Sequence, residues 1–426
     1  MVTLDKFECL FLVHLTSLAI TSLCNTWMFI MKVLLGITGG IAAYKSADLI
    51  RLLVRSGHQV RCCLTDAGSR FITPLTLATL SGEPCFGANP EYHEWRPNPR
   101  VEHVDLARWA DVVAVVPATA NIIGKVANGI ADDLLSTILL AATCRILWAP
   151  AMNRAMWSHP AFTKNLETLS GYGHSIVEPK SGILACGEDG TGKLADIDDI
   201  FDGIIATGTE RSKIFQGKRV LVTAGPTHED LDPVRTLTNR STGHMGIEMA
   251  KAFRNVGANV HLVLGGELKS PWGIPTKRVR SAEDMLAACL ELWPDMDGIC
   301  ATAAVADQRP EKYSTEKIKK MEEALNLPLL RTPDILSTLH QTKTHQWLLG
   351  FAAESENFVE NASAKLVAKG LDAILVNDIS SGKGFGDSPN TLIPITKCGS
   401  GNSIGPDSKE LLASKAVNWF ANFLDK

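Results

Sequence analysis

The sequence lacks a long basic run, and its charges nearly balance. Its 42 lysines and arginines stand against 46 aspartates and glutamates, which gives a formal net charge of −4 at pH 7. Proteins that bind nucleic acid along its phosphates present a basic face, so this balance argues against a nucleic-acid partner. We therefore expect any phosphate to bind at local sites built from loops and a few cations.

The ten cysteines include no Cys-x-x-Cys pair, the spacing typical of zinc and thioredoxin-like sites. This usage fits a reduced, cytoplasmic location. Four of them lie in apolar runs, where a thiol behaves as a small hydrophobe, and are predicted to be structural: Cys62, Cys63, Cys144 and Cys300. Cys186 lies instead in a glycine-rich polar segment, which keeps a thiol accessible.

The chain also lacks a clean apolar stretch of membrane-spanning length. The first thirty residues come nearest, but polar residues such as Glu8 and Asn25 interrupt them, and a basic start typical of a signal peptide is missing. We expect residues 1–30 to be an N-terminal extension, with Met28 or Met31 as the start of the protein. The alternative is a membrane-anchored form, and membrane association is not expected otherwise.

A chain of 426 residues is too long for one ordinary core, which predicts two domains. Apolar β-branched runs alternate with helical patterns in both halves, and this alternation predicts an α/β fold. We predict two Rossmann-like three-layer domains with mainly parallel sheets, at residues 31–210 and 218–426. The short polar stretch 211–217 is the predicted linker.

Residues 32–37 predict a buried strand that ends in Thr38-Gly39-Gly40 before a helical pattern at 46–56. Glycine in such a turn lets backbone amides approach an anion at the positive end of a helix. The stretch lacks both the Gly-x-Gly-x-x-Gly dinucleotide fingerprint and the Gly-Lys-Ser/Thr of a P-loop, which favours a mononucleotide or flavin phosphate. The alternative is a tight turn that needs glycine only for its geometry.

Two later strands, predicted at 111–116 and 145–148, run into similar motifs. One is Pro-Ala-Thr-Ala-Asn at 117–121, and the other is Pro-Ala-Met-Asn-Arg-Ala-Met at 150–156. Each places a proline and an asparagine just past the carboxyl end of a strand, where ligands bind in parallel sheets. An amide there both donates and accepts hydrogen bonds. The alternative for each motif is an asparagine that caps a helix.

Near the middle of the chain, an apolar run at 220–224 breaks at Gly225-Pro226. The loop that follows, at 227–235, carries threonine, histidine, carboxylates and an arginine. A buried strand that delivers polar groups to its carboxyl end is typical of a ligand site in an α/β fold. This strand is predicted to open the second domain.

With these motifs, the sequence from Met31 to about Gly208 resembles the flavin-dependent cysteine decarboxylases. Nearly everything after Met31 resembles their bifunctional bacterial relatives. In those proteins a phosphopantothenoylcysteine decarboxylase is fused to a phosphopantothenate–cysteine ligase, for two consecutive steps of coenzyme A synthesis. The resemblance implies FMN as cofactor, CTP with Mg²⁺ as cosubstrate, and 4′-phosphopantothenate and cysteine as substrates. It also implies a homo-oligomer, with a ligase-domain dimer and higher assembly through the decarboxylase domain. A monofunctional decarboxylase and a flavoprotein regulatory subunit are the alternatives.

The resemblance assigns roles in the first domain. His103 takes the position of an active-site histidine, Asn153 that of the group that binds the substrate carboxylate, and Cys186 that of the thiol that reduces and protonates the intermediate. Strand ends and helix starts supply the expected FMN contacts: Gly39, Gly40, Thr65, Thr119, Asn121, Ser136 and Thr137.

In the second domain, the resemblance implicates Asn239 in handling an acyl-nucleotide and Lys317 in stabilising charge during transfer. A charge run such as 316–320 is otherwise usually a solvated face. Lys365 and Lys369 are one helical turn apart, so both ammonium groups are expected to reach one anion. His244 stands where the family commonly has lysine. The expected CTP contacts are Ala303, Asp307, Lys317, Pro333, Asp334, Ile335, Leu336, Phe351, Lys365 and Lys369.

Overall fold

The computed structural model describes residues 30–87, 102–185, 187–319, 326–354, 356–378 and 389–426. The chain divides into two compact units, residues 1–208 and 209–426. Within the described ranges, no helix has both the length and the apolar character needed to span a bilayer.

The first unit is built on a six-stranded parallel sheet with strand order β3-β2-β1-β4-β5-β6. Its strands are β1 (Lys32–Ile37), β2 (Gln59–Leu64), β3 (Cys85–Gly87), β4 (Val112–Ala118), β5 (Arg145–Pro150) and β6 (Ser175–Ile176). The order reverses between β1 and β4, and this reversal opens a crevice at the carboxyl ends of the two strands. Strands β1 and β4 are almost wholly buried, as expected for a parallel sheet covered on both faces.

Helices cover both faces of this sheet. They are α1 (Ser46–Arg55), α2 (Asp66–Ser69), α3 (Pro74–Ser81), α4 (Glu102–Trp109), α5 (Ala120–Ala127), α6 (Leu134–Ala141), α7 (Arg154–Trp157), α8 (Pro160–Gly171) and α9 (Ile197–Gly208). One face carries α1, α3 and α9. The other carries α4, α5, α6 and α8, whose apolar side chains pack with Trp148 and with Val113 and Val115 of β4. An antiparallel hairpin of β7 (Lys180–Ile183) and β8 (Asp189–Lys193) lies outside the main sheet.

The second unit has a nine-stranded sheet with the order β13-β12-β9-β14-β17-β18-β19-β20, and β21 pairs with β19. Its parallel part is β9 (Arg219–Ala224), β12 (Asn259–Leu264), β13 (Thr276–Arg278), β14 (Gly298–Ala301), β17 (Trp347–Glu354) and β18 (Ala373–Asp378). The antiparallel edge is β19 (Asn390–Thr396), β20 (Gly399–Ser400) and β21 (Ile404–Asp407). The reversal of strand order falls between β9 and β14.

Two antiparallel hairpins follow the strands at this reversal. They are β10 (His228–Asp230) with β11 (Thr236–Thr238), and β15 (Gln308–Pro310) with β16 (Leu329–Arg331). The helices that cover the sheet are α10 (His244–Asn255) and α14 (Lys409–Leu424) on one face, and α11 (Ala282–Leu292), α12 (Ile335–Gln341) and α13 (Phe358–Ala368) on the other. The predicted α/β fold with two mainly parallel sheets is confirmed.

Two details of the second unit differ from the sequence prediction. Strand β17 runs on to Glu354, so Phe351 lies inside the strand and packs against the core formed with α10 and α14. The predicted linker 211–217 also contributes to this core, because Phe215 is fully buried. Its ring centroid lies 5.1 Å from that of Phe253 and 6.4 Å from that of Phe420. The segment is short and mostly polar, so its one anchoring ring has no periodic pattern that reveals it.

Replacing this anchor is expected to destabilise the second unit alone. Phe215→Ala removes a fully buried ring, which typically costs about 3–5 kcal/mol of the free energy of unfolding. Denaturant unfolding of the second unit measures the loss. Lys213→Ala, an exposed neighbour, is the matched control and should change little. An unchanged midpoint for Phe215→Ala would show that the segment does not anchor the unit.

Candidate active sites

In the first unit, a buried threonine joins the loops that follow β1 and β4. Thr38 Oγ1 donates to the Pro117 carbonyl at 2.7 Å and accepts from the Thr119 backbone N–H at 3.1 Å. Ser46 Oγ adds a bond to the Val116 carbonyl at 2.8 Å. Because all these groups lie at the reversal of strand order, the floor of the crevice is fixed by hydrogen bonds before any ligand binds.

The two glycines after β1 are needed for different reasons. A Cβ atom on Gly39 would stand 2.4 Å from the Ala67 Cβ, closer than two carbon atoms can approach. A Cβ on Gly40 would meet only the Thr119 Cγ2, at 4.0 Å. Gly39 therefore permits close packing of the chain on itself. Gly40 leaves open space above the crevice, where backbone can approach a ligand.

Two of the other predicted FMN contacts lie at the start of α5, and the other three have hydroxyls that make hydrogen bonds within the protein. Thr119 begins α5 without a side-chain capping bond, and Asn121 is exposed on the first turn of that helix. Thr65 instead caps α2, since its Oγ1 accepts from the Gly68 N–H at 3.1 Å. The hydroxyls of Ser136 and Thr137 donate to the Asp133 carbonyl at 3.0 and 2.8 Å. Ser136 is fully buried, so a direct flavin contact would require these bonds to change.

Asn153 follows β5 and caps α7. Its Oδ1 accepts from the Ala155 N–H at 2.7 Å, and its Nδ2 donates to Glu188 Oε2 at 3.0 Å. The β7–β8 hairpin lies close against this loop, because the Met152 N–H donates to the Gly192 carbonyl at 3.0 Å and a Cβ on Gly192 would stand 2.1 Å from the Met152 carbonyl oxygen. The hairpin thus brings a carboxylate onto the predicted carboxylate-binding amide.

The remaining residues predicted to act in the first unit lie apart or outside the described ranges. His103 is half-buried on the first turn of α4, which packs on α6. Cys186 lies outside the described residues. Glu188 follows it by two positions in the sequence, and sequence reasoning gave no signal for the Glu188 contact.

Burial of the thiol identifies which cysteines are structural and unreactive. Cys62, Cys63 and Cys300 are fully buried, and burial raises the pKa of all three thiols. Burial also raises the pKa of Cys85 to about 12. Such groups stay protonated at neutral pH and are poor nucleophiles. The prediction that Cys62, Cys63 and Cys300 act as hydrophobes agrees with this burial.

In the second unit, a buried threonine again joins two loops at the reversal of strand order. Thr227 is fully buried after β9, and its Oγ1 accepts from the Ala306 N–H at 3.0 Å. The Ala304 N–H donates to the Gly225 carbonyl at 3.0 Å, and the Thr227 N–H donates to the Ala304 carbonyl at 3.3 Å. The loops after β9 and β14 therefore form one hydrogen-bonded floor.

Asn239 is held against this floor by its amide nitrogen. Nδ2 donates to the Ala304 carbonyl at 3.2 Å and to the Val305 carbonyl at 3.1 Å. The preceding Thr238 donates from Oγ1 to the Thr227 carbonyl at 2.7 Å. Ala303 directly precedes Ala304 on this loop, so it lies near Asn239.

The predicted nucleotide residues before α12 also meet the loop after β14. The Thr332 N–H donates to the Asp307 carbonyl at 3.1 Å, which brings the segment 332–336 beside it. Asp334 caps α12 through the Ser337 N–H at 3.0 Å. Burial acts to raise the pKa of Asp334, but the Ser337 N–H and the Lys369 ammonium outweigh it and hold the pKa below its usual value.

Lys365 and Lys369 pair with different carboxylates in the described part of the chain. Lys365 Nζ lies 2.6 Å from Glu354 Oε1, whereas Lys369 Nζ lies 3.1 Å from Asp334 Oδ2. The helical spacing predicted one common anion for the two lysines, and it gave no indication of these two carboxylates. An anion that binds both lysines would compete with both ion pairs.

Lys317 is exposed on a segment without regular secondary structure, and Ile318 is attached to the tip of the β10–β11 hairpin. Asn239 lies at the base of that hairpin. The four residues from Arg235 to Asn239 span about 13 Å of extended chain. Among the described residues, no hydrogen bond or ion pair joins Lys317 to Asn239.

The residues described in the structure include no group of three or more histidines, cysteines, aspartates or glutamates that could hold a metal ion. Magnesium bound to a nucleotide usually keeps several waters and takes its other ligands from the phosphates.

Two family models match consecutive parts of the chain. A flavoprotein model matches residues 26–208, and the model for the C-terminal domain of DNA/pantothenate metabolism flavoproteins matches residues 215–424. The two sheets with their separate crevices therefore belong to a flavoprotein of pantothenate metabolism that has two domains.

Curated relatives match across this whole arrangement. The coenzyme A biosynthesis bifunctional protein CoaBC of Bacillus subtilis is 43% identical over 86% of this chain and 91% of its own length. That of Haemophilus influenzae is 39% identical over 91% and 96%. A solved C-terminal domain of CoaBC is 37% identical, over 50% of this chain and 99% of that one, with a TM-score of 0.43. The chain belongs to the family of coenzyme A biosynthesis bifunctional proteins.

The two glycines after β1 provide a matched test of the first crevice. Gly40→Ala should leave the fold intact, because the new methyl group enters open space. It should lower the flavin content of the purified protein several-fold, because the methyl group takes up the space in which a ligand approaches the backbone. Gly39→Ala should instead lower the melting temperature, since its methyl group overlaps Ala67. Flavin absorbance per protein and thermal unfolding measure both effects. Unchanged flavin in folded Gly40→Ala would remove Gly40 from the flavin site.

Proposed function

We propose that this chain performs two consecutive steps of coenzyme A synthesis in the cytoplasm, with one crevice for each step. The protein is a bifunctional enzyme of this pathway, with a phosphopantothenate–cysteine ligase and a phosphopantothenoylcysteine decarboxylase. The second unit would join cysteine to 4′-phosphopantothenate with CTP, through an acyl-cytidylate. The first would decarboxylate the product to 4′-phosphopantetheine with FMN. The observation that carries the proposal is that each unit has its own hydrogen-bonded crevice at the reversal of its own sheet.

The residues of the first crevice fit a flavin phosphate. The open backbone at Gly40 and the uncapped start of α5 at Thr119 offer backbone N–H groups to an anion. Bound FMN would supply the two-electron oxidation of the cysteinyl thiol that makes loss of carbon dioxide feasible, and would return the electrons afterwards. The protein would orient the substrate and exclude water. His103 and Cys186 remain proposed participants, with Cys186 as the proton donor.

Asn153 is proposed to hold the substrate carboxylate before it leaves as carbon dioxide. Its Nδ2 already donates to the Glu188 carboxylate at 3.0 Å, which supports its suitability for such a group. The substrate would have to replace Glu188 on this donor. Glu188 is exposed, so solvent can take over its hydration and the exchange would cost little.

The second crevice is proposed to activate a carboxylate that lacks a good leaving group. CTP would convert it to an acyl-cytidylate and release pyrophosphate, with Mg²⁺ screening the phosphates. Asn239 uses its Nδ2 on two carbonyls, which turns Oδ1 into the acceptor available to a substrate. Lys317, Lys365 and Lys369 would supply cations for the phosphates. The amine of cysteine would then displace CMP.

A homo-oligomer is part of the proposal. Leu237 on β11 and Leu329 and Leu330 on β16 are exposed, and the two hairpins that carry them lie side by side. The exposed apolar side chains on these two hairpins support a dimer through the second unit. Ile41, Tyr44 and Leu75 are exposed in the first unit and support further assembly there.

Lys317→Ala is expected to stop ligation without affecting decarboxylation. Pyrophosphate release from 4′-phosphopantothenate, cysteine, CTP and Mg²⁺ should fall by about 100-fold or more, as for the loss of a charge that acts in the transition state. Decarboxylation of supplied phosphopantothenoylcysteine should not change. Lys312→Ala, an exposed lysine of the same segment, is the control. Normal pyrophosphate release by Lys317→Ala would exclude the role.

Glu188→Gln is expected to strengthen substrate binding in the decarboxylase. The variant keeps the size of the side chain and replaces the charged acceptor of Asn153 Nδ2 by a neutral amide oxygen, which is a weaker competitor. The KM for phosphopantothenoylcysteine should fall by about 2- to 5-fold, the scale of an exposed charged contact. Asn153→Ala should raise the same KM or lower kcat. If Glu188→Gln raised KM, Glu188 would assist binding instead of competing.

A further inference from the structure

The segment that carries Lys317 depends on a distant loop for its position. Residues 311–319 form no helix or strand. In the described part of the chain, the Ser314 N–H donates to the Leu231 carbonyl at 2.9 Å, and both backbone groups of Ile318 bond to the same loop. That loop, Leu231 to Arg235, is the tip of the β10–β11 hairpin.

Asp232 lies at the centre of this attachment. Its side chain is fully buried, and its Oδ1 accepts from the Val234 and Arg235 N–H groups, both at 2.8 Å. These two bonds shape the hairpin tip. The other oxygen, Oδ2, accepts from the Ile318 N–H at 3.1 Å, across 86 positions of sequence.

Arg235 completes a two-point clamp. Its Nη2 donates to the Ile318 carbonyl at 2.9 Å, and its Nε lies 3.8 Å from Asp232 Oδ2. The backbone N–H and the carbonyl of Ile318 are thus both bound by the loop from Leu231 to Arg235. Ile318 directly follows Lys317, so this clamp fixes the backbone from which the Lys317 side chain extends.

The carboxylate must be ionised to make all three bonds. Burial acts to raise the pKa of Asp232, but the Val234, Ile318 and Arg235 N–H groups, with the Arg235 guanidinium, outweigh it and hold the pKa below its usual value. A charged acceptor makes shorter and stronger hydrogen bonds than a neutral one. The clamp is therefore set at neutral pH.

We infer that Asp232 is a positioning residue of the ligase, which acts through Lys317 by fixing Ile318 to the tip of the β10–β11 hairpin. The inference rests on the proposed role of Lys317. The Asp232 side chain is fully buried, so in this inference it acts through Ile318 and not by contact with a substrate. Its contribution should therefore disappear when Lys317 is absent.

Asp232→Asn is the sharpest change. An amide has one acceptor oxygen, so it can accept from the hairpin tip or from Ile318 but not from both. Its NH₂ group would then face N–H donors, with which it cannot form a hydrogen bond. Asp230→Asn is the matched control. Asp230 lies in the same hairpin as Asp232, but it pairs with Arg280 at 2.7 Å and does not contact Ile318. If Asp232→Asn fails to fold, Ile318→Pro removes the N–H that Asp232 Oδ2 binds without a substitution in the hairpin tip, and it also restricts the backbone of residues 317 and 318.

Ligation kinetics distinguish positioning from general stability. Asp232→Asn should lower kcat of pyrophosphate release by about 10-fold or more and leave flavin content and decarboxylation unchanged. The double variant with Lys317→Ala should be no slower than Lys317→Ala alone, because both changes remove one function. Wild-type ligation by Asp232→Asn, or a multiplicative loss in the double variant, would overturn the inference.

Limited trypsin cleavage after Lys319 tests the clamp without ligase activity. Release of the segment should speed cleavage by about 10-fold in Asp232→Asn and Ile318→Pro, and by less than about 2-fold in Asp230→Asn. Equal cleavage in all variants would overturn the clamp. If the wild-type protein released no pyrophosphate, the proposed function would fail, and cleavage alone would still decide whether Asp232 holds this segment.

Discussion

A buried threonine hydroxyl at each reversal of strand order is the interaction on which both crevices depend. Thr38 joins the loops after β1 and β4 in the first unit, and Thr227 joins the loops after β9 and β14 in the second. Parallel strands diverge at such a reversal, and the loops that leave them would otherwise separate. Each hydroxyl accepts a backbone N–H from the opposite loop, so each floor is preorganised.

The chemistry assigned to each floor is brought there by hairpins outside the main sheets. In the first unit, the β7–β8 hairpin places Glu188 on Asn153. In the second, the β10–β11 hairpin supports Asn239 at its base and Ile318 at its tip. Two-stranded hairpins are marginal alone and need tertiary contacts to keep their place. Here those contacts combine backbone hydrogen bonds, such as Met152 to Gly192 and Ser314 to Leu231, with the side-chain bonds of Asn153 and Asp232.

The sequence predicted the fold and the residues at strand ends, because both follow from local patterns. Asn153 lies just past the carboxyl end of β5, where a parallel sheet presents groups to a ligand whatever the loops do. Asn239 follows β11 outside the main sheet, and only the family resemblance singled it out. The sequence did not predict Phe215 as a core residue or the Asp232–Ile318 bond. An isolated aromatic residue in a polar segment has no period, and a contact across 86 positions depends on the packing of loops. The Asp-Pro pair at the hairpin tip signals a turn, but it does not identify a distant partner.

Several groups proposed to bind anionic substrates already bind carboxylates of the chain. Asn153 donates to Glu188, Lys365 pairs with Glu354, and Lys369 pairs with Asp334. An unpaired donor facing a partly closed crevice would lose hydration without compensation, so an internal carboxylate lowers the cost of keeping it in place. In the proposed function, a substrate carboxylate or phosphate would compete with a partner of the same charge. Such competition would weaken the ground-state complex, and the internal carboxylate would keep the donor oriented for the incoming group.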